Sequence, residues 1–250
     1  MKALITGASS GIGKEFAITL SKMGYDLILV ARRKHKLEEL KEELNTNIEV
    51  IQLDISSTYN CMKLYNKVKD DDIDILINNA GFGLFGEFKD TSLDKELDLI
   101  DLNIKTVHTL TKLFVQKFEK EKKGYILNVA SIAAYFPGPL MACYYASKSY
   151  VLNLTEAINE ELRQNNSNVY IGALCPGPVE TEFNKIAKVK FKIKSLTPKE
   201  VVKYAVDKMF KKKMIIIPGK QIKIMTKLSK FLPEKQKLKT IYNSQIYNNE

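Results

Sequence analysis

The first thirteen residues restrict the fold more than any other stretch. Lys2–Ala3–Leu4–Ile5 is a short, mostly apolar run that leads straight into Thr6–Gly7–Ala8–Ser9–Ser10–Gly11–Ile12–Gly13. Phe16, Ala17, Leu20 and Met23 then recur at helical spacing, and Gly24 gives a stop signal. The order is strand, glycine turn, helix. Glycine has no Cβ, so the backbone can turn sharply there and come close to a ligand. The first N–H groups of the helix have no partner within it, and their partial positive charge favours a phosphate such as a dinucleotide pyrophosphate. Gly7, Gly11 and Gly13 are spaced G-x-x-x-G-x-G instead of G-x-G-x-x-G. On this stretch alone a tight turn without a ligand therefore stays open.

The same alternation continues along the chain. Strands are predicted at residues 25–31, 48–53, 73–77, 124–130, 169–174 and 214–217, each a short apolar run. Helical patterns lie between them, at 35–44, near 56–65, and at 94–118, 144–165 and 198–212. Residues 180–197 lack a clear period and read as a loop or short helices. Alternating strands and helices predict a Rossmann-like, doubly wound α/β fold, with about seven parallel strands and helices on both faces. The simplest partition is one domain at 1–217 and a basic, helical C-terminal extension at 218–250.

Composition narrows the setting. At 250 residues and 45% apolar, the chain can bury a large core without disulfides or metal. Cys61, Cys143 and Cys175 are far apart and form no C-x-x-C pair, so a metal site is not expected and a reducing, cytoplasmic setting fits. Residues 1–13 already read as strand and turn, which leaves no secretory leader, and no apolar run is long enough to span a bilayer. The net charge of +10 is uneven: residues 185–250 hold 18 lysines against four acids, a net of +14, which leaves −4 for the rest.

Ligands of open parallel sheets sit beyond the carboxyl ends of the strands. The second strand ends in Arg32 and Arg33, where such folds meet the adenosine ribose. An acid there would accept from a free 2′-hydroxyl, whereas a guanidinium suits a 2′-phosphate. NADP(H) is therefore favoured over NAD(H), with a solvated basic helix start as the bland alternative. Asp54 ends the third strand and can accept from an adenine amino group or cap the next helix. Asn78–Asn79–Ala80–Gly81 ends the fourth strand and Ser131 follows the fifth. Tyr144 and Lys148 are four residues apart and share a helix face. An ammonium beside a phenol is expected to lower the phenol's pKa, so that it exchanges a proton with a carbonyl or alcohol oxygen near neutral pH. Ser131 could hold the same oxygen. Tyr145, three residues before Lys148, is also within reach, and spacing alone leaves both tyrosines open.

With these residues in order, the chain resembles the short-chain dehydrogenase/reductase family, of the small single-domain type, over about residues 1–217. The turn from Thr6, the Asn78–Gly81 segment, Tyr-x-x-x-Lys, and Pro176–Gly177–Pro178–Val179 with Thr181 carry the resemblance. It implies a catalytic set of Asn103, Ser131, Tyr144 and Lys148, and it selects Tyr144 over Tyr145. It implies cofactor contacts from Gly7, Ser9, Ser10, Gly11, Ile12, Gly13, Arg32, Arg33, Asp54, Asn79, Ala80, Gly81, Tyr144, Lys148, Pro176, Gly177, Val179 and Thr181. By the same resemblance Lys148 binds the nicotinamide ribose, Asn103 holds a water in a proton relay, and Asn79 lies beside the adenosine ribose. The activity implied is carbonyl–alcohol interconversion by hydride transfer, in a homo-dimer or homo-tetramer, with a catalytically silent dinucleotide-binding regulator as the alternative. The basic tail replaces the short glycine-rich close that seals the family's tetramer.

Ile222, Ile224, Met225, Leu228, Phe231 and Leu232 form an apolar stripe in that tail, with lysines between them. A docked helix with a solvated lysine face is the simplest reading. Weak contact of residues 220–242 with an anionic membrane, making the protein membrane-peripheral, stays open. With no arginine in the tail and no nucleic-acid motif, nucleic acid is not expected as a partner. Phe82, Phe85, Tyr135, Phe136, Leu140, Met141 and Phe183 are candidate walls of a hydrophobic substrate pocket, or simply core. His35 and His108 lie outside every motif.

Overall fold

The structure is a computed structural model that describes residues 1–183, 195–228 and 233–246. The chain runs β1 (Lys2–Thr6), α1 (Gly11–Lys22), β2 (Asp26–Ala31), α2 (Lys34–Glu43), β3 (Ile48–Gln52), α3 (Thr58–Val68), β4 (Ile75–Asn78), α4 (Leu93–Ile100), α5 (Val107–Glu121) and β5 (Tyr125–Val129). It continues through α6 (Ala142–Gln164), β6 (Tyr170–Leu174), α7 (Pro198–Phe210), β7 (Ile215–Ile216), α8 (Lys220–Leu228) and α9 (Glu234–Ile246). All seven strands are parallel, in the order β3-β2-β1-β4-β5-β6-β7. This is the Rossmann-like α/β fold expected from the alternation.

The strands are buried on both faces, which explains their unbroken apolar runs. Side chains alternate across the sheet, so Ala3, Ile5, Leu27, Leu29, Ile75 and Ile77 pack with Phe16, Leu20, Leu37 and Val202 of α1, α2 and α7. Their neighbours Leu4, Ile28, Val30 and Leu76 pack with Leu64, Phe114, Phe118 and Leu162 of α3, α5 and α6. Caps fix two helix starts. Ser57 Oγ, not Asp54, accepts from the first turn of α3, and Thr197 with Glu200 closes a capping box around Pro198 at the start of α7.

The helix expected over 94–118 is interrupted. Asp101–Thr106 forms a wide π-helical turn between α4 and α5, and Asn103 lies in it. The Asp101 carbonyl accepts from the Thr106 hydroxyl at 3.1 Å, five residues on. Such insertions carry no hydrophobic-periodicity signal and concentrate at functional sites. The expected loop at 180–197 is described only at its ends, and residues 184–194 lie outside the described residues, as do Phe231 and Leu232 of the tail stripe.

The strand order reverses between β1 and β4, so the loops leaving these strands diverge and open a crevice at their carboxyl ends. Thr6 pins its floor. Its hydroxyl donates to the Ile77 carbonyl at 3.3 Å and accepts from the backbone of Asn79 and Ala80 at 3.0 and 3.1 Å.

Candidate active site

One cleft of about 1180 Å³ follows this crevice from Arg32 and Arg33 to Tyr144. Its nucleotide end is built by the turn after β1. Gly7 has a φ of +66°, and a Cβ there would sit 2.9 Å from the Ala80 Cα. A Cβ on Gly13 would come within 2.3 Å of the Gly7 carbonyl oxygen. Glycine is needed at both for packing of turn, helix and strand. Gly13 therefore lies behind the turn and, alone with Asn103 among the expected contact residues, does not line the cleft. The Asn79 amide braces the turn by donating to the Thr6 and Gly7 carbonyls at 3.0 and 3.2 Å.

Ser10 occupies the N-cap position of α1 but does not cap it. Its hydroxyl accepts from Arg33 Nη2 at 2.9 Å, and Ser9 Oγ accepts from the same nitrogen at 3.1 Å. α1 thus starts without a side-chain cap, and Gly11 and Ile12 of its first turn line the cleft. Arg33 also donates from Nη1 to Glu182 at 2.8 Å, and Lys36 Nζ reaches the other oxygen of that carboxylate at 2.7 Å. Arg32 is the more exposed arginine and lies 3.7 Å from Asp54, whose Oδ1 accepts from the Ser56 backbone. This cradle of glycines, free helix N–H groups, hydroxyls and cations fits a pyrophosphate with a further phosphate on the ribose.

The other end is set by β5, α6 and the π-helical turn. Ser131 follows β5, and its hydroxyl accepts from the Ala133 backbone at 3.1 Å while facing the Tyr144 phenol. The half-buried Tyr144 lies on the first turn of α6. Lys148, one turn on, is only 6% exposed; its Nζ donates to the Val129 carbonyl at 2.8 Å and sits 5.8 Å from the centre of the Tyr144 ring. Tyr145 also lines the cleft, but its ring lies against Gly138 and its hydroxyl accepts from Gln245 at 2.9 Å. The two tyrosines that spacing left open are thus separated by geometry.

The expected lowering of the Tyr144 pKa is overturned. Burial pushes the phenol up, and the Ser131 hydroxyl only partly opposes this. The same burial pulls the Lys148 ammonium down to about 8. Desolvation disfavours the charged form of each group, and it is the largest cause of both shifts.

Asn103 is fully buried. Its Oδ1 accepts from the Phe82 N–H at 3.1 Å, and its Nδ2 donates to the Phe82 carbonyl at 2.9 Å and to Ser147 Oγ at 3.1 Å. Ser147 donates to the Tyr144 carbonyl at 2.7 Å, so the π-helical turn is tied to the turn of α6 that carries Tyr144 and Lys148. Gly81 keeps this contact close, since a Cβ there would lie 2.9 Å from Asn103 Oδ1. Ser147 escaped the sequence reading because a serine between Tyr144 and Lys148 has no periodic signature.

The remaining cleft residues divide as follows. Pro176, Gly177, Val179 and Thr181 line its middle, and Phe82, Phe136, Met141 and Phe183 its apolar wall. Phe85, Tyr135 and Leu140 do not line it; Tyr135 is packed beside Cys175 instead. Ile224, Met225 and Leu228 of α8 and Ile241 and Gln245 of α9 complete the wall. Sequence reasoning assigned these tail residues no place there, although Ile224, Met225 and Leu228 belong to the apolar stripe. Among the described residues no cluster of acids, cysteines and histidines could hold a metal, and no helix is long and apolar enough to cross a membrane.

Residues 1–190 match the family model for short chain dehydrogenases. The chain belongs to the short-chain dehydrogenase family. It is 34% identical over 73% of its length to an oxidoreductase of Staphylococcus epidermidis, 80% of which is covered. It is 32% identical over 83% of its length to a very-long-chain 3-oxoacyl-CoA reductase of Pyrenophora tritici-repentis, 62% of which is covered. Among solved structures, the short-chain dehydrogenase from Sphingobium yanoikuyae in complex with NADPH superposes with a TM-score of 0.81 at 28% identity, over 93% of this chain and 96% of that one. The bulky-bulky ketone specific alcohol dehydrogenase from Comamonas testosteroni gives 0.77 at 29% identity, over 93% and 95%.

Proposed function

We propose that this short-chain dehydrogenase is an NADP(H)-dependent oxidoreductase that interconverts a hydrophobic ketone or aldehyde and its alcohol. The observation that carries the reading is the continuous cleft, with a phosphate-binding cradle around Arg33 at one end and Tyr144 beside Ser131 at the other. NADP(H), when bound, supplies or accepts the hydride. Gly7, Ser9, Ser10, Gly11 and Ile12 hold its phosphates, Arg33 and Arg32 its 2′-phosphate, and Pro176, Gly177, Val179 and Thr181 its nicotinamide end. The NADPH complex of the Sphingobium relative supports this choice over NAD(H).

In reduction, the Tyr144 phenol donates its proton to the carbonyl oxygen, and the Ser131 hydroxyl hydrogen-bonds that oxygen and orients it. Tyr144 stays protonated through neutral pH and so has a proton to give, while its raised pKa makes it a weaker donor than a free phenol. Lys148, with a pKa near 8, can replace the lost proton. Asn103 positions both by tying Phe82 to α6.

The residues of α8 and α9 that line the cleft make these two helices the roof of its substrate end. This supports a docked tail over a membrane anchor. A wall of Phe136, Met141, Phe183, Ile224 and Met225 suits a long or bulky carbonyl compound, and the names of the fungal and Comamonas relatives point the same way. NADPH oxidation with long-chain 3-oxoacyl thioesters, bulky ketones and short aldehydes tests the proposal. Turnover is expected with the larger compounds and its loss in Tyr144→Phe; full activity in that variant would overturn the assignment.

A further inference from the structure

Glu182 is an acid in the place where a phosphate is expected. It lies one residue beyond Thr181, far in sequence from the glycine turn, yet its carboxylate spans Arg33 and Lys36 at 2.8 and 2.7 Å. It is therefore bound to the guanidinium that also donates to Ser9 and Ser10. Two cations hold its carboxyl down to about 2, so it is ionised throughout the working range. A carboxylate and a phosphate oxygen make the same charge-assisted bonds to a guanidinium fork. Arg33 cannot keep all of these partners and also clasp a dianionic 2′-phosphate, and an unmoved Glu182 would repel it.

We propose that Glu182 is a built-in competitor for the 2′-phosphate seat, which gives up Arg33 and Lys36 when a cofactor bearing that phosphate binds and thereby sets how strongly the chain prefers NADP(H) over NAD(H). The proposal rests on the reading of Arg33 as the 2′-phosphate ligand. It adds a residue from the segment after β6 to a choice otherwise made at the end of β2. Glu182 is half-exposed, and its replacement leaves the core untouched.

Calorimetric titration of the full chain with 2′,5′-ADP and with 5′-AMP tests this without turnover. Glu182→Gln is expected to tighten 2′,5′-ADP about three- to tenfold, as for one partly exposed ion pair removed from competition. Binding of 5′-AMP should change less than about twofold, since it lacks the group that Glu182 mimics. In an Arg33→Ala/Lys36→Ala background the added Glu182→Gln should change neither. Equal tightening of both probes, weaker 2′,5′-ADP binding, or a gain that survives without the cations overturns the proposal. If the wild type prefers 2′,5′-ADP and Glu182→Gln leaves that preference as it was, only the competitor role fails. If the wild type binds neither probe, the cofactor reading fails and takes the competitor with it.

Discussion

The two ends of the cleft are both built at the carboxyl edge of one sheet, yet opposite physics governs them. At Arg33, half-exposed cations and a carboxylate pair directly, and Glu182 is held far below the ordinary carboxylate range. At Tyr144 and Lys148 desolvation is the leading influence, so both groups are pushed toward their neutral forms. The difference lies in solvent. Around Arg33 and Glu182 pairing is inexpensive and screened by salt, whereas Lys148, only 6% exposed, carries a desolvation penalty of its own. One end is therefore suited to holding charge and the other to moving a proton.

The largest expected effect tests the buried end. Tyr144→Phe should lower kcat by about 10²- to 10⁴-fold, the usual range for a lost general acid. NADPH affinity, followed by fluorescence titration, should stay nearly constant. A parallel loss of both would show that the ends are not separate. Arg33→Ala should weaken NADPH binding by about ten- to a hundredfold, as for a charge-assisted bond, with little change for NADH. High salt should reduce the NADPH affinity of the wild type by a similar mechanism while leaving the Tyr144 site unmoved. An equal loss for NADH would move the 2′-phosphate away from Arg33.

Lys148 sharpens the comparison through pH. Its folded pKa of about 8 lies below the ordinary 10.5, so the unfolded chain binds more protons between these values. This contribution to stability therefore rises as pH increases from about 8 to 10.5, and the penalty is fully present below 8. Lys148→Met should gain about 1–2 kcal/mol at pH 7 after the lost bond to the Val129 carbonyl is offset, and the gain should shrink at higher pH. Melting curves across that window check the sign; a destabilised variant at pH 7 would mean that the buried ammonium stabilises the fold. The smallest effect concerns the roof. Gln245→Leu removes the bond to Tyr145 and should change KM for a long substrate by about two- to fivefold with kcat preserved, in line with one neutral hydrogen bond. An unchanged KM would detach α9 from the substrate.

Much of this was legible in the chain itself. Apolar runs alternating with helical periods determined the parallel sheet, because strands covered on both faces must be apolar throughout. The glycine spacing and the residues ending β2 and β5 marked the two ends of the cleft, because strand ends are where such folds open. Tertiary structure alone decided the rest. It brought Glu182 to Arg33 across 149 residues, turned Tyr145 toward Gln245, buried Asn103 against Phe82 and Ser147, and laid α8 and α9 along the cleft. It also reversed the expected direction at Tyr144. Spacing along a helix reports which groups are neighbours, whereas a pKa depends on how much water the surrounding fold leaves them.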